Sequence, residues 1–142
     1  MPEPGTTACT IVARNYVPAA RVLARSYLEH HPGGRFVIAV IDAPREQSDR
    51  AGDGLTVVGP AAFGIDEDDY LRMATAYSVT ELATSVKPYL LRELLKESEA
   101  AIYLDPDIEL FAPIPEVAEL ARGGGGRGGP RRAPAARRAG AP

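Results

Sequence analysis

Short apolar runs alternate with segments of helical periodicity along most of this 142-residue chain. The apolar runs predict strands over residues 9–13, 35–42, 55–59 and 100–104. The helical patterns lie between them and cover residues 18–32, 66–77 and 78–98. The second run, RFVIAVID, is apolar almost throughout, as is typical of strands buried on both faces of a parallel sheet. The alternation predicts an α/β fold with a mostly parallel sheet, in which ligands bind at the carboxyl ends of the strands.

The helical segments allow three more detailed predictions. Pro18 suits the first turn of the first helix, whose expected sheet-facing residues are Ala19, Val22, Leu23 and Tyr27. The acidic residues at 66–69 fall in the first turn of the second helix, where they complement the helix dipole and require no functional role. Pro88 is expected to kink or divide the third helix near residues 86 and 87.

The carboxyl-terminal segment differs sharply in composition from the rest of the chain. Residues 123–142 are only Gly, Ala, Pro and Arg, so no large apolar side chain offsets the entropy of ordering the backbone. These residue types are all encoded by GC-rich codons, which suggests the product of a frameshift near Arg122. We therefore expect a disordered start over residues 1–7, a folded part over 8–122 and a disordered tail over 123–142.

Charge and composition exclude several classes of protein. Before residue 123 there are 11 basic and 19 acidic residues, so the folded part is about −8 and unsuited to nucleic acid. The Arg-rich tail lacks the aromatic residues that stack on bases. Cys9 is the only cysteine, which excludes an internal disulfide, and we expect it to pack as a small hydrophobe. No apolar run is long enough to span a bilayer and no signal peptide is present, which predicts a cytoplasmic protein.

Two aspartates follow the last apolar run, in the stretch AIYLDPDIELFAPI at residues 101–114. Pro106, between them, lacks an N–H and fixes φ, so the strand should end and the chain should turn at Asp105. The carboxylates of Asp105 and Asp107 would repel each other unless they shared a hard cation. Mg²⁺ or Mn²⁺ completed by phosphate oxygens would meet that need. A solvent-facing Asp-Pro turn is the alternative.

The segment YLDPDIELFAPI resembles the DxD segment of GT-A glycosyltransferases, and is most similar to the family 8-like enzymes. The opening segment, IVARNYVPAARVLARSYLEHHPGGRFVIAVID, is similar to the first strand, Asn-Tyr turn, helix and second strand of that family. The similarity covers most of residues 8–122. It implies a Rossmann-like GT-A nucleotide-sugar-binding domain in which Asp105 and Asp107 bind a divalent cation that bridges the two donor phosphates.

The resemblance also implies roles for four further residues. Asn15 and Tyr16 match the turn that receives the nucleotide base, with Tyr16 stacking on it, and Ala13 begins that turn with its backbone. Lys87 lies on the helix before the DxD strand, where related enzymes place a basic residue near the diphosphate or the sugar. For Lys87, a surface charge on the helix is an equally good interpretation.

The function implied by the resemblance is transfer of a glycosyl group from a nucleotide-diphosphate sugar to the hydroxyl of an unidentified acceptor. The metal would stabilise negative charge on the departing diphosphate. Because little foldable sequence follows the DxD, the domain is expected to be truncated and to lack the acceptor-binding and catalytic half. Two alternatives remain: a truncated, non-catalytic nucleotide-binding fragment, and a haloacid dehalogenase-like phosphatase, whose similar motif normally opens its domain.

Overall fold

A computed structural model of the chain describes residues 5–106, together with the backbone of two further short strands. Within residues 5–106, five strands form one sheet: β1 (Thr6–Val12), β2 (Arg35–Val40), β3 (Ser48–Arg50), β4 (Leu55–Val58) and β5 (Ala100–Tyr103). Their order is β3-β4-β2-β1-β5, and every neighbouring pair is parallel except β3 with β4. The further strands, β6 (Ile108–Glu109) and β7 (Arg137–Arg138), pair antiparallel with each other. The predicted α/β fold with a mostly parallel sheet is confirmed, and its strand order is compatible with a Rossmann-like arrangement.

Helices cover both faces of this sheet. The three α-helices within residues 5–106 are α1 (Val17–His30), α2 (Glu67–Ala76) and α3 (Val79–Leu94). Leu23 and Tyr27 of α1 share one buried apolar cluster with alternate residues of β1, β2, β4 and β5. Tyr70 of α2 and Val86 of α3 belong to a second cluster on the opposite face of the sheet. The parallel strands are therefore buried on both sides, as the apolar run at 35–42 predicted.

The face of α1 that packs on the sheet differs by one position from the prediction. Pro18 lies in the first turn, as expected, and Leu23 and Tyr27 are buried. Val22, however, is 52% exposed, so its predicted contact with the sheet is wrong. Ala20 and Ala24 are buried instead, since they align with Leu23 and Tyr27 at intervals of three and four residues.

The acidic segment before α2 acts as a helix start. The side chain of Asp66 caps α2 by accepting a hydrogen bond from the backbone N–H of Asp68 at 3.1 Å. The first turn also carries Glu67 and Asp69, whose charges favour the amino end of the helix dipole. The Tyr70 hydroxyl then anchors the helix to the sheet by donating to the Ile41 carbonyl at 2.7 Å. This run therefore has the structural role that its sequence predicted.

Helix α3 begins with a capping box and continues through Pro88. Glu81 N–H donates to the Ser78 hydroxyl at 3.2 Å, and Ser78 N–H donates to Glu81 at 2.9 Å. The bond from the Ser78 backbone holds the pKa of Glu81 below its ordinary value. The predicted division of the helix near residues 86 and 87 is absent. Pro88 and Thr84 are both exposed, so water can reach the Thr84 carbonyl that the missing N–H leaves unbonded.

Two strand assignments also differ from the prediction. Strand β1 begins at Thr6, three residues before Cys9 and inside the segment expected to be disordered. Thr6 and Thr7 are polar, but threonine favours strands, and Thr7 pairs with both β2 and β5. The segment between the predicted strands 35–42 and 55–59, to which the sequence pattern assigned no strand, contains β3. All three β3 side chains are exposed, so only backbone pairing with β4 identifies it as an edge strand.

Several sequence predictions fall on other parts of the chain. Asp107 lies outside the described residues, and so does the tail 123–142 apart from the backbone of Arg137–Arg138. Among the helices of the described chain, none combines the length and the apolar character needed to cross a membrane.

Candidate functional site

The order of the strands opens a crevice beside β1. Strands β2 and β4 lie on one side of β1. After β4 the chain continues through α3 to β5, which lies on the other side of β1. Where the order of the strands reverses in this way, the loops that follow the strands on either side of the reversal diverge and leave room for a ligand. A cavity of about 580 Å³ lies at this point. Its volume falls in the range of small-molecule sites, about 300–1,000 Å³.

The cavity brings together residues from three distant segments of the chain. Its walls come from the end of β1 with the turn behind it, from α3 and from the end of β5. The wall residues include five that the sequence nominated: Ala13, Asn15, Tyr16, Lys87 and Asp105. The sixth nominated residue, Asp107, lies outside the described residues. The shared location is an observation, whereas the binding roles of these residues remain predictions.

The turn after β1 presents an aromatic ring at the cavity. Residues 14–16 form a single 3₁₀ turn, in which Tyr16 N–H donates to the Ala13 carbonyl at 2.9 Å. The Tyr16 side chain is 49% exposed, although it is large and mostly apolar. A ring left partly exposed on a cavity wall provides a surface on which a planar group can stack.

Asp42, which the sequence analysis did not nominate, fixes this turn in place. Ala13 provides no side-chain cap, and the Arg14 N–H instead donates to Asp42 Oδ1 at 2.7 Å. A second bond joins the same two loops, because Ile41 N–H donates to the Val12 carbonyl at 3.0 Å. The feature of the sequence that could have indicated this role is an aspartate at the end of the apolar run 35–42. That run forms the strand that pairs in parallel with β1. Asp42 therefore acts as a cap supplied by the neighbouring strand.

Asp42→Ala is expected to loosen this turn. It removes the acceptor of the Arg14 N–H, and losing a cap of this kind costs about 1 kcal/mol of the free energy of unfolding. We expect the Arg14 amide to exchange with solvent faster in the Ala variant than in Asp42→Asn, which keeps an acceptor oxygen. Amide hydrogen exchange followed by NMR measures this difference. Equal exchange rates in the two variants would show that Asp42 does not hold the turn.

Helix α3 contributes a stripe of side chains that ends in a positive charge. Val79 and Thr80, then Ala83 and Thr84, and finally Lys87 line the cavity at helical spacing. The ion pairs found within residues 5–106 do not include Lys87. Its Nζ lies instead 4.1 Å from the centroid of the Tyr103 ring. The α3 wall is therefore neutral along most of its length, with a cation at one position.

Two ionisable groups near Lys87 are neutral at physiological pH. Burial raises the pKa of the Cys9 thiol to about 12, although the positive charge of Lys87 lowers it. Cys9 is fully buried, which confirms that it packs as a small hydrophobe. Burial also raises the pKa of the Tyr103 hydroxyl, and the charge of Asp105 raises it further. Neither group is therefore poised to act as a nucleophile or a base.

Asp105 provides a carboxylate where the sheet ends. Pairing with β1 continues as far as Leu104, whose N–H donates to the Cys9 carbonyl at 2.9 Å. Asp105 is the next residue, and its side chain is exposed on the cavity wall. Within the described part of the chain, no three His, Cys, Asp or Glu side chains converge as a metal site would require. The described residues thus offer a single carboxylate for a cation at this cavity.

This donor chemistry fits a hard divalent cation that binds together with its ligand. Mg²⁺ keeps several water molecules and commonly uses only one or two carboxylates together with substrate phosphates. An exposed carboxylate on the wall of an open cavity is compatible with that mode of binding. A closed structural site of four protein ligands, as for zinc, is not formed by the described residues.

Comparison with known proteins yields no family assignment: no protein-family model matches the sequence, and no curated protein does so either.

Proposed function

We propose that this cavity binds a nucleotide-diphosphate sugar and that the chain belongs to a glycosyltransferase of the GT-A type. The observation that carries the proposal is the convergence of Tyr16, Lys87 and Asp105 on one cavity at the point where the sheet reverses its order. An aromatic ring, a cation and a carboxylate together match the chemistry of a nucleotide bound with a metal ion. Parallel sheets of this kind bind their ligands at the same position.

The walls of the cavity suggest how such a donor would lie. The exposed Tyr16 ring would stack on the base, while Asn15 and the Ala13 backbone would provide polar contacts beside it. Lys87 would attract the diphosphate, whose charge would otherwise face the carboxylate of Asp105. Val79 and Ala83 supply the apolar surface that is common in sites for small molecules.

Asp105 and Asp107 would hold the Mg²⁺ or Mn²⁺ of this proposal. When bound, the cation would neutralise negative charge on the diphosphate leaving group while the glycosyl group is transferred to an acceptor hydroxyl. The protein's part in the donor site is to orient the base at Tyr16 and to set one cationic side chain against the phosphates. Both positions lie on elements anchored to the sheet, since Asp42 holds the turn and Val86 and Leu90 of α3 are buried against the sheet.

Metal-dependent nucleotide binding is the expected result when the purified chain is titrated with uridine diphosphate or deoxythymidine diphosphate. Isothermal titration calorimetry should show binding heat with Mn²⁺ and none in the presence of a chelator. Asp105→Asn should lower the affinity at least about tenfold, or about 1.4 kcal/mol, because it removes an anionic oxygen ligand of the cation. Asp68→Asn is the matched control, since Asp68 lies in the first turn of α2 away from the cavity.

Two outcomes would contradict the proposal. Binding that persists unchanged with a chelator would show that no metal takes part in it. Equal affinity in Asp105→Asn would show that the Asp105 carboxylate takes no part. Release of phosphate from an aryl phosphate, without any hydrolysis of a nucleotide sugar, would instead favour phosphatase chemistry.

A further inference from the structure

The ammonium group of Lys87 contacts an aromatic ring and, among the residues that the structure describes, pairs with no carboxylate. Its Nζ lies 4.1 Å from the centroid of Tyr103, within the distance of a cation–π contact. The ion pairs formed within residues 5–106 leave Lys87 out. Both residues line the same cavity. The ring therefore restrains the ammonium group at the wall without neutralising its charge.

This choice of partner matters for binding an anion. A lysine side chain is long and loses considerable conformational entropy when a ligand fixes it. A carboxylate partner would order the side chain, but it would also compete with an incoming phosphate. An aromatic face orders the side chain through its quadrupole while the N–H donors that point away from the ring remain available. Lys87 is thus pre-organised for an anionic group.

The ring that restrains Lys87 is itself held firmly. Tyr103 is the last residue of β5 and pairs directly with Cys9 of β1. Its side chain is half-buried and packs against the apolar cluster between the sheet and α3. The cation–π contact therefore joins two elements that are held in place, β5 by its pairing with β1 and α3 by the burial of Val86 and Leu90 against the sheet.

We infer that Tyr103 is a positioning residue, whose ring holds the Lys87 ammonium group in place to receive the diphosphate of the ligand. The inference rests on the proposed function, because it takes the nucleotide diphosphate as the anion. It assigns to Tyr103 the contribution of its ring face and not of its hydroxyl. A phenylalanine at this position should therefore preserve the affinity for the diphosphate, whereas an aliphatic side chain of similar size should not.

The test compares Tyr103→Phe with Tyr103→Leu in titrations with uridine diphosphate and Mn²⁺, and with uridine alone. We expect Tyr103→Leu to bind the diphosphate about 3- to 30-fold more weakly, the range of a partly desolvated cation–π contact. Tyr103→Phe should remain within about twofold of the wild type, since it keeps the ring. Uridine, which has no phosphate, should bind both variants equally. Should the Leu variant not fold, Tyr103→Met offers the same comparison with a longer aliphatic side chain.

A double-mutant cycle identifies the partner of the ring. In a Lys87→Met background the Leu substitution should cause no further loss, because the cation that the ring positions is gone. A Leu variant that binds uridine diphosphate as tightly as the wild type would overturn this inference alone. Equal losses for uridine and for its diphosphate would also overturn it, since they indicate a general disturbance of the cavity. A wild-type chain that binds neither would overturn the proposed function, and the inference with it.

Discussion

Lys87→Glu is expected to weaken the binding of uridine diphosphate more than about a hundredfold. The substitution removes the single lysine of the cavity wall and places a second carboxylate near Asp105 and the phosphates. Two unit charges about 4 Å apart interact by about 4 kcal/mol at the effective dielectric typical of protein surfaces. Reversing one of them therefore exceeds the roughly 2.7 kcal/mol that a hundredfold change in affinity represents. Calorimetry with Mn²⁺ present measures the change.

The chain offers a matched control, because it contains only one other lysine. Lys96 lies just after α3, with its Nζ 2.7 Å from Glu93, and its side chain is 64% exposed. Lys96→Glu makes the same change of net charge outside the cavity, and an exposed pair of this kind contributes at most about 1 kcal/mol to stability. Its nucleotide affinity should match that of the wild type. Equal losses in both variants would trace the effect to overall charge and not to the cavity.

Phe36→Ala is expected to lower the free energy of unfolding by about 3–5 kcal/mol, which is typical for a fully buried phenylalanine. Phe36 is completely buried in β2, and its ring packs tilted against that of Tyr27 with centroids 5.7 Å apart. Removing the ring leaves a cavity between α1 and the centre of the sheet, where neighbouring residues cannot close in without distorting the strands. Urea unfolding followed by circular dichroism measures the difference.

Val22→Ala is the control for this substitution. Val22 is also an apolar residue and belongs to α1, but it lies on the solvent side of that helix. Its replacement should change the free energy of unfolding by no more than about 0.5 kcal/mol. If Phe36→Ala were equally mild, the cluster between α1 and the sheet would not be the main core of this domain.

Much of the fold could be predicted because buried segments have a characteristic pattern of apolar residues in the sequence. The apolar run at 35–42 indicated a strand covered on both faces, and Pro18 and the acids at 66–69 marked helix starts. Strand β3 could not be recognised in this way, since it is held by backbone bonds and none of its side chains is buried. Val22 was misplaced for a related reason: apolar character alone does not decide which of two adjacent stripes on α1 faces the sheet.

The candidate site shows the same division between local and long-range information. Its residues could be nominated from short motifs, but their convergence depends on β5 lying beside β1, and no single segment specifies that order. Asp42 and Tyr103 escaped notice because each contacts a residue far away in sequence. Asp42 accepts a bond from a backbone N–H 28 positions earlier, and the Tyr103 ring receives a side chain from another element. Contacts of this kind leave no periodic pattern.

The burial of Cys9 makes the chain well suited to site-specific labelling. Thiolate is the reactive form of cysteine, and with a pKa of about 12 and no exposed surface the native thiol should resist alkylation. A cysteine introduced at the exposed Thr80, on the cavity wall, would then be the sole site for a fluorophore or a spin label, with no need to remove the native one. A probe there would report directly on whether the cavity fills when nucleotide and metal are added.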